Sequence, residues 1–211
     1  MFMYLSFSAF FSRVQEAPWY RSFLSPVSDR VSPGQAVLDI GTGSGKLLQW
    51  LALEKQATVT GLDTHAGMLR EARRKLEGLP ATLLHITPGE DYPLPEASFD
   101  VICICNVLFN MNEREGKRIL EQCRRLLKPA GRILVLTPTG SGTRRDRWSI
   151  FLRPGNATFG LWYRLTRRRG QWWTNHTYLE PFAHRHEMTY ERQLVFRGLA
   201  QLEILASPAR E

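Results

Sequence analysis

Apolar positions along the chain follow two rhythms. Short β-rich runs recur as AVLDI (36–40), TVTGLD (58–63), ATLLHIT (81–87), FDVICICNVL (99–108) and GRILVLTP (131–138). Between them lie segments with apolar residues at helical spacing. KLLQWLALEK (46–55) places Leu47, Leu48, Leu51 and Ala52 together, and HAGMLREARRKLEG (65–78) does the same with Met68, Leu69, Ala72 and Leu76 before a stop at Gly78. NEREGKRILEQCRRLLKP (112–129) turns Ile119, Leu120, Cys123, Leu126 and Leu127 inward and ends at Pro129. Strands alternating with helices predict an α/β fold, a doubly wound and mostly parallel sheet with right-handed connections and both faces covered. The C-terminal run MTYERQLVFRGLAQLEILASP (188–208) reads as a helix, a turn near Gly198 and a strand QLEIL. That makes six main strands, a seventh missing or incomplete, and an open edge suited to pairing in a homodimer.

The 211 residues fit a single domain. Its parts are an N-terminal helical cap (1–35), a core (36–137), an insertion (138–190) and a last helix and strand (191–211). The opening MFMYLSFSAFFSRV is apolar but shorter than a membrane span and has no basic leader region. It suits a docking helix or an interfacial one. Cys103, Cys105 and Cys123 are odd in number and match no zinc spacing, so buried free thiols, a reducing cytoplasm and no metal are expected. The net charge is +8, and between Gly140 and Asn175 eight arginines face one acid, Asp146. Four tryptophans, Trp148, Trp162, Trp172 and Trp173, share that insertion.

VLDIGTGSGK (37–46) joins the first strand to the first helix through three alternate glycines. Such a turn at a strand's carboxyl end invites close approach of a ligand. A phosphate loop would need G-x-x-x-x-G-K-[ST], but Leu47 stands in the hydroxyl position. A dinucleotide loop would need G-x-G-x-x-G, and Asp39 ahead of the glycines would repel a pyrophosphate. A ligand carrying an ammonium or sulfonium group tolerates that acid.

The motif D-x-G-T-G-S-G resembles the first motif of class I S-adenosylmethionine-dependent methyltransferases. Three more blocks follow in family order: GLD ending at Asp63, EDYPLPEASFDVI (90–102) and CRRLLKPAGRILVL (123–136), where Ala130 replaces a glycine. The resemblance covers about residues 36–136 and implies a Rossmann-like fold binding S-adenosylmethionine, with S-adenosylhomocysteine as product. It implies that Gly41, Gly43 and Gly45, with Thr42, run beside the methionine moiety and that Asp39 attracts its ammonium. Asp63, with Thr64, would hold the ribose. Met68 would cover the adenine or be plain core. Pro88 stands where the family often has an adenine-binding aspartate, which shifts that contact to Glu90, a backbone group or water, with the Gly89 N–H available to the ring.

Asn106, at the rim after the fourth strand, is the catalytic or amine-contacting candidate, with a bland turn as the alternative. Attack on an activated methyl needs mainly alignment, and a base only when the acceptor carries a proton that must leave. His176, Tyr178, His184 and His186 are base candidates, and none has a supporting motif. The acceptor should meet residues 1–35 and 138–190. A small molecule under an aromatic lid is expected first. A membrane-associated enzyme acting on a lipid or quinone comes second, followed by RNA or a non-catalytic cofactor-binding domain. Nucleic acid is disfavoured because CNVLFN lacks the Asn-Pro-Pro-Tyr type of motif.

Overall fold

A computed structural model describes residues 10–141 and 154–208. Residues 10–16 are helical (α1) and lead into α2 (Pro18–Ser28). The core then alternates: β1 (Ala36–Ile40), α3 (Lys46–Lys55), β2 (Thr58–Asp63), α4 (Ala66–Lys75), β3 (Ala81–His85), β4 (Phe99–Cys105), α5 (Glu113–Leu126) and β5 (Leu127–Pro138). The insertion contributes α6 (Ala157–His176) and α7 (Leu179–Arg185). The chain ends with β6 (Thr189–Val195) and β7 (Ala200–Ala206).

The sheet has seven strands in the order β3-β2-β1-β4-β5-β7-β6. β1 to β5 pair in parallel, and β7 runs antiparallel between β5 and β6. This corrects the expectation of six strands with a missing seventh. The stretch TYERQLV is a strand and not a helix. Its side chains alternate between exposed and half-buried, as on an edge strand, and so short a run matches both periodicities. Positive φ at Phe196, Arg197 and Gly198 turns it back into β7. With β6 in place, the argument for a homodimer through an incomplete edge falls away.

Alternate strand residues enter two cores. Val37, Val101, Cys103, Leu134 and Leu136 pack with α2, α3 and α4, whereas Leu38, Ile102, Ile104, Ile133 and Val135 pack with α5 and α7. Helix α5 opens with a full capping box, Asn112 accepting from the Glu115 N–H and Glu115 from the Asn112 N–H. Gly116 in its second turn admits Tyr178, whose Oη would lie 1.6 Å from a Cβ there. Asp100 accepts from the Ala36 N–H and pairs with Lys128 at the entry of β1 and β4, a structural post remote from the glycine turn.

Helix α6 belongs to both cores. Phe159, Trp162 and Tyr163 join the first, and Trp173 the second. Phe159 and Trp162 meet Phe23 of α2 at ring distances of 5.8 and 5.7 Å, edge to face, each worth about 0.5–1.5 kcal/mol beyond burial. Its middle presses on the end of β5, where a Cβ on Gly170 would come 2.2 Å from the Pro138 carbonyl oxygen. The Trp173 indole donates to buried Glu203 of β7, which also accepts from Thr177, Tyr190 and Gln201. Four donors offset the desolvation of that carboxylate and lock the insertion to the sheet.

Candidate functional site

The carboxyl ends of β1, β2 and β4 meet where the strand order reverses, the place open α/β sheets bind ligands. β1 stops at Ile40, and the Gly41 and Thr42 N–H groups both donate to the Leu62 carbonyl of β2. Gly41 takes φ 74°, and a Cβ there would meet Val107 at 2.4 Å, so the turn admits only glycine at this point. Asp63, closing β2, accepts from the Gly43 N–H through one carboxylate oxygen and from the His65 N–H through the other, both at 2.8 Å. It thereby pins the glycine turn and keeps a spare lone pair on each oxygen.

A cavity of about 330 Å³ opens against this rim. Gly41, Asp63 and Thr64 form one wall, and Pro88, Gly89 and Glu90 another. Val107, Met111 and Ile119 supply the apolar side, and Arg118 and Gln122 its outer lip. Gly89 has φ 87°, which the flanking Thr87–Glu90 turn requires. Asp91 lies outside, accepting from Gln122 and paired with Arg118. Helix α5 thus carries the segment after β3 into position.

A second, closed group lies behind the glycine turn. Asp39 is buried, one carboxylate oxygen has no partner, and burial, with Asp63's charge adding, raises its pKa from 3.8 to about 7 against an opposing contribution from Thr42. Asn106, left-handed at φ 63°, is held by its backbone to Leu136 and Asn110. Its side-chain amide is buried with both polar atoms unpartnered. Buried polar atoms are nearly always paired, so these orphans mark a place that awaits donors and acceptors. Tyr20 closes the group from α2, where burial pushes its hydroxyl up against the opposing effect of a hydrogen bond from the Gln15 amide.

The expected site residues separate accordingly. Gly41, Asp63, Thr64, Gly89 and Glu90 line the cavity. Asp39, Thr42 and Asn106 belong to the buried group, which also holds Gly43 and Gly45 on its loop. A Cβ on Gly43 would strike Gln15 at 2.6 Å, and one on Gly45 would meet Ala72 at 3.0 Å, so these two glycines make room for the protein itself. Met68 is buried at the start of α4 and does not line the cavity. His176 is exposed, its ring stacked on Trp172 at 5.1 Å, and it is not among the residues that line the cavity. Among the other base candidates, Tyr178 packs on Gly116, His184 is exposed and His186 pairs with Glu121. No cluster able to hold a metal exists among the described residues. Cys103, Cys105 and Cys123 are free thiols.

Sequence reasoning missed Gln15. Its amide oxygen accepts from both the Ser44 N–H and the Ser44 hydroxyl, so α1 sits directly on the glycine turn. Glu16 beside it pairs with Lys46 and Lys75, which hold its carboxyl below the usual range although partial burial works the other way. Nothing local marks Gln15, which lies far upstream of the turn it closes.

Strand order, the glycine turn and the acid at the end of β2 agree with the core expected of a class I S-adenosylmethionine-dependent methyltransferase. Residues 37–131 match the model of a methyltransferase domain family. A demethylmenaquinone methyltransferase of Tropheryma whipplei is 35% identical over 124 residues, 59% of this chain and 49% of that protein. A ubiquinone/menaquinone biosynthesis C-methyltransferase of Paraburkholderia phytofirmans is 40% identical over 112 residues, 50% of this chain and 44% of that one. The match thus spans about half the length of these relatives. A SAM-dependent methyltransferase from Aquifex aeolicus has the same fold at TM-score 0.64 and 18% identity, covering 92% of this chain and 97% of its own. A chain from the complex of the Haloferax volcanii Trm112 methyltransferase activator with a methyltransferase gives 0.69 at 15% identity, covering 97% of each.

Proposed function

We propose that the protein transfers a methyl group from S-adenosylmethionine to a small-molecule acceptor. The observation that carries this is the pairing of an open cavity with buried, unsatisfied polar atoms on either side of one glycine turn. The cavity suits a nucleoside: Asp63 offers carboxylate lone pairs to ribose hydroxyls, and Gly89 with Glu90 offers polar groups to a base edge. Apolar Val107, Met111 and Ile119 face the ring. The buried group suits an amino acid, with Asp39 for the ammonium and the Asn106 amide for either end. The cofactor supplies an activated methyl and a neutral leaving group when bound. The protein's tasks are then to exclude water and hold the acceptor in line, worth up to several kcal/mol through orientation alone.

Asn106 stands at the end of β4, where the two halves join, and serves as a positioning and binding residue. Asp39 moves between neutral and ionised states near pH 7, so ligand binding draws it to the charged form. Met68 supports the start of α4 from within the core.

For the acceptor, an aromatic ring of the quinone type is the favoured class. Two similar proteins carry the names of menaquinone and ubiquinone methyltransferases. A turnover assay with methyl-labelled S-adenosylmethionine, run against reduced naphthoquinones, simple phenols and amines, tests the reading. Label appearing in a naphthoquinol supports it. Cofactor binding without product from any acceptor would instead mark a non-catalytic cofactor-binding domain.

A further inference from the structure

Helix α6 exposes a surface that methyl transfer does not use. We propose that its solvent face docks the protein on an anionic lipid bilayer. Leu161, Leu165 and Trp172 are 46, 67 and 48% exposed, high values for large apolar side chains. At about 100° per residue they fall within roughly 40° of one another on the helix. Arg164 and Arg168 lie along one side of this stripe and Arg169 along the other, all exposed. From Pro154 to Tyr178 the sequence has four arginines, including Arg167, and no acid. The other large exposed apolar side chains among the described residues, Leu53 and Leu194, lie on α3 and β6, away from this stripe.

An apolar stripe flanked by arginines is the pattern of a helix lying in a membrane interface. The leucines and Trp172 enter the headgroup–acyl boundary, while the arginine stems cover its edges and their guanidinium groups reach phosphates. The charge complementarity selects anionic over zwitterionic lipid. Leucines at the centre of the face favour lipid over RNA, for which arginines and a stacking ring suffice. The helix is also tied to the methyl-transfer rim: Arg169 donates to the Asn110 side chain at 3.0 Å, and Asn110 donates to the Asn106 carbonyl at 3.0 Å. Docking through α6 therefore sets the cavity's rim close to the lipid surface. The buried side of the same helix is anchored by Trp162, Tyr163 and Trp173, so the exposed face is presented by a fixed element.

Flotation of the full chain with vesicles tests this without cofactor or acceptor, so its outcome is independent of the proposed methyl transfer. The protein should float with vesicles of equal parts phosphatidylglycerol and phosphatidylcholine at low salt and not with phosphatidylcholine alone. Arg164→Glu with Arg168→Glu should weaken binding by about tenfold or more, at roughly fivefold per basic residue. Leu161→Ser with Leu165→Ser should also weaken it, with unchanged circular dichroism and thermal midpoint. Phosphatidylglycerol brominated on its acyl chains should quench tryptophan fluorescence in the native protein and much less in Trp172→Phe. Absence of flotation at low salt, equal binding to both vesicle types, or binding indifferent to the leucine pair would overturn the proposal. Retention on single-stranded RNA at a salt concentration that abolishes flotation would overturn it in favour of nucleic acid.

Discussion

Asp39→Asn replaces a buried acid with an amide of nearly the same shape. Burial, with Asp63 adding, raises the acid's pKa from 3.8 to about 7. The unfolded chain ionises this group near 3.8, whereas the folded chain keeps its proton to about pH 7. Between those values the folded state holds the extra proton, so native stability falls as pH rises and levels off above about 7. At about 1.36 kcal/mol per pH unit the whole window spans about 4 kcal/mol, an upper bound once water entry and relaxation are allowed. Asparagine carries no such cost. Urea unfolding at about pH 5 and about pH 8 should show the variant gaining on the native protein by up to about 2.7 kcal/mol at the higher pH, the share of the window above pH 5. Calorimetry with S-adenosylhomocysteine gives the converse reading. Below pH 7 the native protein should release a proton on binding as the ligand's ammonium draws Asp39 to its charged form, and the variant should bind weakly and release none. Parallel stability profiles of the two proteins would refute the reasoning.

Three further outcomes follow from single contacts. Ala130 sits at φ 58°, where the family's glycine would be at ease, so Ala130→Gly should stabilise the fold by roughly 0.5–1 kcal/mol in chemical denaturation. Gly116→Ala would drive a methyl group into the Tyr178 hydroxyl and should lower stability by about 2 kcal/mol. The Tyr178 hydroxyl has no hydrogen-bond partner among the described residues, so Tyr178→Phe alone should cost little and should reduce the penalty of the alanine in the double variant. Trp173→Phe removes an indole donor from buried Glu203 and should cost about 1.5–3 kcal/mol by thermal or urea melting.

The core from β1 to β5 was legible because its signals are local. β1 runs into the glycine turn, β2 ends in its own acid, Asp63, and the helices between the strands each carry one apolar stripe. Helix α6 resisted the same reading because its two ends enter different cores: Phe159 and Trp162 point one way and Trp173 another, so no single stripe exists. β6 was lost because an edge strand buries little, and seven residues cannot separate the two periods. Within the site, Gly41, Asp63 and Glu90 were candidates through the family resemblance, and all three line one cavity. The roles of Gly43 and Gly45 as seats for Gln15 and Ala72 depend on contacts between residues far apart in sequence. The apolar N-terminal stretch, apart from residues 10–14, and Arg144, Arg145, Arg147, Trp148 and Arg153 lie outside the described residues. Among the described residues no helix is long and apolar enough to cross a membrane.

Equilibrium dialysis with radiolabelled S-adenosylhomocysteine tests the site most directly. One molecule should bind per chain, Asp63→Ala should weaken it by about tenfold or more through loss of a charged hydrogen-bond acceptor, and NAD should not compete. Absence of binding, equal binding by Asp63→Ala, or displacement by NAD would contradict the assignment of this cavity to the methyl donor.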